Sequence, residues 1–145
     1  MKIKIVKLTP SSQLPRRGSK EAAGWDVYAP FHIGLSRGVI KVIPLGFSAK
    51  IPDGYYATLV PRSSLGTKGV TIPNSPATID SDYTGEWHCG LIFHSTFGRS
   101  TEYHIEEGER ICQIILHKYE TIEWEEVDEL PTTKRGLGGL GSTGK

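Results

Sequence analysis

The sequence has 145 residues and a formal net charge of +1, from 17 basic and 16 acidic residues. This length fits one domain that buries roughly two-thirds of the surface its unfolded chain would expose. The near balance of charge excludes a general attraction to nucleic acid, and no apolar run approaches the length of a membrane span.

The start of the chain and its cysteines indicate the compartment. Met1–Ile5 alternates between apolar and polar residues and lacks the apolar stretch of a signal peptide. Cys89 and Cys112 lie in apolar runs without C-x-x-C spacing, which favours two buried thiols in a reduced compartment. We therefore expect a cytoplasmic protein, or one in the cytoplasm of a host cell if its source is viral.

Short alternating or apolar runs, separated by Gly, Pro, Asn or Asp, predict an all-β sandwich or jelly roll. One or two helical turns are predicted within Arg62–Lys68, entered at Pro61, and Ser81–Gly85 is interpreted as a hairpin connection. Pro52-Asp53-Gly54 is a strong turn signal. The predicted strands, in chain order, are Lys2–Leu8, Trp25–Ala29, Val39–Ile43, Gly46–Ile51, Tyr55–Val60, Thr78–Asp80, Glu86–Phe93, Arg110–Lys118 and Thr121–Val127.

The character of the chain changes after Val127. Thr121–Val127 alternates acidic and apolar residues, as an edge strand with one wet face does. Leu130–Lys134 reads as an extended arm, and Arg135–Lys145 is a glycine-rich tail. The tail is either a disordered terminus or a flap whose backbone N–H groups and cations close over phosphates. We divide the single domain into a body at 1–127 and an arm with tail at 128–145.

Two segments place charged groups beside small or turn-forming residues. Asp26 interrupts the small-residue strand that begins in Ala22–Gly24; its carboxylate either holds the waters of a divalent ion or caps a turn. Arg62, Ser63 and Ser64 follow a proline; they form either a phosphate-binding arrangement or an ordinary helix N-cap.

Two further segments carry a carboxylate and a lone amide. Asp80 follows an apolar strand, so it is either a general base in a partly dry pocket or part of an Asx turn with Asp82. Tyr83 offers a ring face for a sugar or base. Gln113 lies in an otherwise apolar strand and needs a partner, which is either backbone or a ligand oxygen. Glu109 and Arg110 are interpreted as a structural pair.

Together, in this order and spacing, the five segments resemble the five motifs of the trimeric dUTPase family. The similarity covers about Glu21 to Lys145 and is carried by Pro61–Ser63, Ile79–Tyr83 and Arg135–Gly144. The resemblance implies a jelly-roll type of distorted β-barrel with a C-terminal swapped arm and a flexible glycine-rich tail. It also implies a homotrimer whose active sites are shared between subunits, with no stable binding to nucleic acid or membrane.

The resemblance further implies hydrolysis of dUTP to dUMP and pyrophosphate, which limits uracil in DNA and supplies dUMP for dTMP synthesis. Asp80 is expected to activate the attacking water, with Ser63 and Gln113 also catalytic and Asp26 holding Mg²⁺ through water. Asn74 and Tyr83 are expected to read uracil and deoxyribose. The remaining expected substrate contacts are Arg62, Ser64, Arg135, Leu140, Gly141, Ser142 and Thr143.

The chain departs from the family pattern at a few positions. Leu140 replaces the usual aromatic residue that stacks on uracil, which costs about 1 kcal/mol of stacking and predicts a raised KM. Ala77 and Thr78 stand where a glycine and an aliphatic residue are common. Ser64 stands in place of glycine, as in the related dCTP deaminases.

Two rival functions remain at the level of sequence. A dCTP deaminase carries a glutamate on the strand after the hairpin, but Trp87–Ile92 contains no carboxylate. A nucleotide sensor that binds a protein partner through the trimer needs none of the catalytic groups and is compatible with catalysis. The dUTPase function accounts for all five segments.

Overall fold

A computed structural model describes residues 1–94 and 100–139, which contain strands, turns and one short helix. The all-β class is therefore confirmed. No helix in these residues is long and apolar enough to cross a membrane. The elements are β1 (Lys4–Lys7), β2 (Arg16–Arg17), β3 (Trp25–Tyr28), β4 (Ile33–Ser36), β5 (Ile40–Pro44), β6 (Phe47–Lys50), β7 (Tyr55–Pro61), α1 (Ser63–Gly66), β8 (Val70–Thr71), β9 (Ala77–Ile79), β10 (His88–Phe93), β11 (Glu102–Ile105) and β12 (Arg110–Lys118).

The described strands pair into four antiparallel sheets. The largest has the order β2-β3-β12-β7-β9, and the others are β5-β10-β8, β1-β6 and β4-β11. Within the described ranges these ladders do not close into a barrel. The jelly-roll barrel of the sequence analysis consequently stays a prediction.

Side chains alternate along each strand of the largest sheet, so that one face is apolar and the other carries most of the polar side chains. Val27, Leu59 and Cys112 project inward and are almost fully buried. Phe47 and Trp87 fill the core from other strands, with ring centroids 5.6 Å apart. The opposite, outer face carries the polar side chains of the five-stranded sheet, and it is this face that positions the candidate site.

Several predicted elements are confirmed. Strand β12 has the predicted bounds, and the turn before β7 forms at Gly54, whose φ of 80° favours glycine. The helix is shorter than expected, since it begins at Ser63 and ends at Gly66. Pro61 ends β7 instead of opening the helix.

Two predictions are wrong. Ser81–Gly85 does not connect a hairpin: β9 pairs with β7, whereas β10 pairs with β5 and β8. A turn signal reveals a reversal of the chain but not the sheet edge on which the next strand pairs. Thr121–Val127 forms no strand, and residues 119–137 are exposed. An edge strand needs a neighbouring ladder for its backbone groups, and the described part of the chain supplies none there.

Candidate active site

A buried carboxylate and an amide lie side by side on the outer face of the largest sheet. Asp26 of β3 and Gln113 of β12 are direct cross-strand partners, so their side chains project from the same face. Asp26 is only 6% exposed. Because an isolated buried carboxylate is costly, this position requires compensating charge.

Two arginines supply that charge. The Nε of Arg62 donates to Oδ1 of Asp26 at 2.9 Å, and an Nη of Arg110 donates to Oδ2 at 3.4 Å. Arg62 is well covered, whereas the Arg110 side chain remains half exposed. The carboxylate thus fixes two guanidinium groups on the outer face, and it caps no turn.

Arg110 is the residue whose role sequence reasoning missed. It was expected to pair with Glu109, but the Glu109 carboxylate instead accepts from the backbone N–H of Glu106 at 3.0 Å. The register of β12 against β3 shifts between Arg110 and Cys112. Such an irregularity re-aims a side chain, and here Arg110 reaches Asp26. Sequence alone carries no sign of this shift.

Gly24 is the one small residue before Asp26 whose size the structure explains. A Cβ at position 24 would overlap the Oε1 of Gln113 and lie 3.1 Å from its Cβ. The absent side chain therefore leaves the space that the Gln113 amide occupies. The glycine and the glutamine, 89 positions apart in the sequence, form one packing unit.

The segment Arg62–Ser64 presents hydroxyl groups beside the same cluster. The N-cap of α1 is Arg62, without a side-chain cap, so the interpretation of a serine N-cap is wrong. An Nη of Arg62 donates to Oγ of Ser64 at 3.2 Å, and both serines are exposed. Leu65 anchors the helix in the core. The hydroxyls are therefore available to a ligand.

Asp80 lies at a second, separate place. It is exposed after β9 and borders a depression of about 570 Å³. Within the described ranges, the carboxylates of Asp80 and Asp82 accept no hydrogen bond. The Asx-turn alternative, which needs such a bond from the backbone, therefore finds no support there. The other lining residues of this depression are Tyr56, Thr78, Ser81, Asp82 and Tyr119.

Tyr83 is held by the loop that follows Asp80. Its hydroxyl donates to the carbonyl of Glu86 at 2.7 Å, and a Cβ at Gly85 would press into the ring. Tyr83 as a whole residue remains 42% exposed. Asn74 is exposed in the loop before β9, next to the cis peptide bond between Ser75 and Pro76. Asn74, Asp80 and Tyr83 thus belong to one continuous segment.

The two parts of the site lie at opposite ends of β7. Ala57 pairs with Ile79, which puts Asp80 beside Tyr56, while Arg62 follows the other end of the strand. At about 3.3 Å per residue, six residues separate the two parts by about 20 Å. One chain therefore brings Asp26, Arg62 and Gln113 together, but it does not bring Asp80 to them.

The tail is described only at its start. The Nε of Arg135 donates to the carbonyl of Gly138 at 2.8 Å in an exposed local turn. Leu140, Gly141, Ser142 and Thr143 lie outside the described residues. Their expected contacts with the substrate therefore stay predictions.

A cationic cluster around a buried carboxylate, on an all-β scaffold, is suited to the binding of an anion. The dUTPase family model matches residues 11–144. The deoxyuridine 5′-triphosphate nucleotidohydrolase of Rickettsia massiliae is 44% identical, covering 98% of this chain and 96% of the relative. That of Nautilia profundicola is 42% identical over the whole of both. The solved dUTPase of Staphylococcus bacteriophage 80alpha with dUPNHPP is 25% identical, has a TM-score of 0.86 and covers 99% of each chain. The chain belongs to the dUTPase family.

Proposed function

We propose that the protein hydrolyses dUTP to dUMP and pyrophosphate in active sites that are shared between the chains of a homotrimer. The observation that carries this proposal is the division of one sheet face between two half-sites. The cationic half-site, formed around Asp26, Arg62 and Gln113, lies at one end of β7. The other half-site, formed by Asp80 and its open depression, lies at the other end. Copies arranged around a symmetry axis bring the two ends into contact.

The cationic half-site is suited to the triphosphate. Arg62 is already oriented by Asp26, so little side-chain freedom is lost when a phosphate binds. Ser63 and Gln113 add neutral donors, with Ser63 near the bond between the α- and β-phosphates where charge develops on the leaving group. Ser64, held by Arg62, completes this side of the site. Phosphoryl transfer depends mainly on such positioning and charge stabilisation.

The other half-site is suited to the nucleoside and the water. Asp80 accepts a proton from the water that attacks the α-phosphorus, as a general base. Asn74 and backbone groups of the same loop pair with uracil, where each mismatched partner in cytosine costs about 1–3 kcal/mol. Tyr83 packs on the deoxyribose and leaves no room for a 2′-hydroxyl. The depression of about 570 Å³ falls in the range of ordinary ligand pockets.

Asp26 fits Mg²⁺ through water. Each of its oxygens accepts one arginine contact, and a carboxylate offers about four lone-pair positions, so capacity for a metal-bound water remains. No group of three or more potential metal ligands occurs within residues 1–94 and 100–139. That suits a cation whose inner ligands are waters and phosphates. When bound, the ion neutralises and orients the triphosphate.

The exposed apolar side chains near the C-terminus support a swap of the arm between neighbouring chains. Leu130 of the arm is more than half exposed, and so are three apolar side chains of the segment before it: Ile122, Trp124 and Val127. An apolar groove of about 340 Å³ lies between β1 and the largest sheet, lined by Ile3, Leu14 and Trp25 among others. We propose that the arm, residues 128–145 together with the segment before it, covers this groove on a neighbouring copy. Arg135 and the tail then close over the phosphates of that neighbour.

The cellular role follows from the reaction. Removal of dUTP limits uracil incorporation into DNA, and dUMP is the precursor for dTMP synthesis. We place the reaction in the cytoplasm, where the free thiols Cys89 and Cys112 stay reduced.

The test is hydrolysis of dUTP, dCTP, dTTP and UTP with Mg²⁺ by the wild type and by Asp80→Asn. We expect pyrophosphate release from dUTP alone and a loss of kcat of roughly 10²–10⁴-fold in the variant, because the general base is removed. Asp82→Asn, two residues away, is the matched control and should stay close to wild type. A fully active Asp80→Asn variant would contradict the assigned base, and ammonia release from dCTP would indicate a deaminase.

A further inference from the structure

A third arginine lies in register with the cationic half-site. Strand β2 is an edge strand of two residues, and Arg16 pairs directly with Asp26 while Arg17 pairs with Trp25. Asp26 in turn pairs with Gln113. Arg16, Asp26 and Gln113 therefore form a row across three adjacent strands, and their side chains share the outer face.

The chain keeps β2 close to the carboxylate. A Cβ built on Gly18, two residues after Arg16 and on the same face, would lie 3.7 Å from Oδ2 of Asp26. The segment from Arg16 to Gly18 thus forms the edge-strand wall of the half-site. Neither the sequence motifs nor the proposed substrate contacts include any residue of this wall.

Arg16 differs from its neighbour in having nothing to hold it. The Nε of Arg17 donates to the carbonyl of Ala22 at 2.8 Å, and its guanidinium lies 5.8 Å from the Trp25 ring centroid. Arg16 is exposed and has no hydrogen-bond or ion-pair partner within the described ranges. Two adjacent residues with the same charge therefore have opposite orientations and different environments.

The balance of charge in the cationic half-site leaves the guanidinium group of Arg16 free to bind an anionic ligand. Asp26 is already paired with Arg62 and Arg110, so no carboxylate in this row is left to neutralise the charge of Arg16. Its positive potential adds to that of the other two arginines and attracts anions to this end of the sheet. A triphosphate retains net negative charge after it binds magnesium, and guanidinium groups match phosphate oxygens in geometry.

We propose that Arg16 is a further substrate-binding residue, which contacts the triphosphate of dUTP from the edge-strand side of Asp26. This inference rests on the proposed function, since it assigns one more residue to the same site. Arg16 binds and attracts the substrate; it takes no part in proton transfer. Its loss should therefore act on KM and leave kcat nearly unchanged.

The experiment compares Arg16→Ala with Arg17→Ala, which removes the same charge from the opposite face of the same strand. Steady-state hydrolysis of dUTP is measured at low and high salt, with melting temperature and oligomeric state as checks on folding. We expect Arg16→Ala to raise KM roughly three- to tenfold at low salt and to weaken the salt dependence of kcat/KM. Arg16→Lys should recover most of the loss, and Arg16→Glu should exceed it.

The outcomes separate this inference from the proposed function. If the wild type hydrolyses dUTP and Arg16→Ala matches it in KM and salt dependence, Arg16 does not bind substrate and only this inference fails. Equal effects of Arg16→Ala and Arg17→Ala would reduce the result to a loss of general charge, which also overturns it. A wild type that does not release pyrophosphate from dUTP would instead overturn the proposed function.

Discussion

Asp26 organises the cationic half-site although it bears a negative charge, as the proposed triphosphate substrate does. A buried carboxylate that is held by two guanidinium groups fixes the positions of both before any phosphate arrives. Without it, Arg62 and Arg110 would repel each other and lose their common orientation. At the scale of single residues, the proposed site is thus preorganised by a negative carboxylate for the binding of a negative phosphate.

Gly24 is the residue at which this arrangement is most easily disturbed. Gly24→Ala should displace the Gln113 amide, because the new Cβ would occupy the place of its Oε1. We expect a drop of roughly tenfold in kcat/KM for dUTP with a small change in stability. Gly34→Ala is the control, since a Cβ there meets His104 only at ordinary contact distance. Unchanged kinetics in Gly24→Ala would show that Gln113 does not contact the substrate.

Cys112 links the stability of the core to pH. The neighbouring Cys89 thiol, followed by burial, raises the pKa of the Cys112 thiol. The unfolded thiol ionises near pH 8.5, so above that pH the unfolded state loses a proton that the folded state retains. Stability should therefore be fully present below about pH 8.5 and decrease as the pH rises towards the folded pKa. Urea unfolding at pH 7 and pH 9.5 measures the decrease, and Cys112→Ala should show less of it. An equal decrease in both proteins would contradict the assignment.

At the scale of elements, the turn between α1 and β8 carries a strict backbone requirement. Gly69 has a φ of 84°, its carbonyl accepts from the N–H of His94 at 2.6 Å, and a Cβ there would overlap the His94 carbonyl oxygen. Gly54 has a similar φ of 80° but open space around it. Both turns therefore require a positive φ, but only at Gly69 would an added Cβ overlap with backbone atoms.

Gly69→Ala should accordingly cost more stability than Gly54→Ala. The left-handed conformation costs alanine about 1–2 kcal/mol at either site. At Gly69 the added overlap with backbone raises the loss to on the order of 3 kcal/mol or more. The free energy of unfolding in urea measures both losses, and equal values would mean that His94 moves away without cost.

The elements also show what the sequence can and cannot predict. Alternation and turn residues identify the long, regular strands, and β12 appears with its predicted bounds. They miss β2 and β8, each of two residues, because so short a strand carries no period, and they also miss the four-residue strands β4 and β11. The segments of the site were found from their residue types, whereas the pairing of Arg110 with Asp26 depends on an irregular register that leaves no pattern. The error at Ser81–Gly85 has the same origin, since pairing across sheets is not local.

At the scale of the whole molecule, the separation of the two half-sites by about 20 Å predicts complementation between inactive variants. Asp80 and Gln113 lie in different half-sites, so the Asp80→Asn and Gln113→Ala proteins should each be poorly active alone. After the two are unfolded together and refolded as a mixture, about a quarter of the sites in randomly mixed trimers should combine the intact halves.

The recovered activity should appear only after mixed refolding, which makes separately refolded proteins combined at the same concentrations the control. Hydrolysis of dUTP measures both samples. If the mixed sample shows no more activity than the control, Asp80 and Gln113 act within one chain or do not act in one site.

The position of Asp80 and Arg62 at opposite ends of one strand has a genetic consequence. When each site draws on more than one polypeptide, a cell that makes both an intact and a defective copy builds hybrid assemblies. A copy with a lesion in one half-site then inactivates a site to which an intact copy contributes, while its own intact half serves another site, so a missense allele in one half-site reduces activity only in proportion to its share. Alleles with lesions in different halves restore some activity to one another within the same hybrid. Complementation between alleles in a cell therefore reveals which residues belong to which half-site.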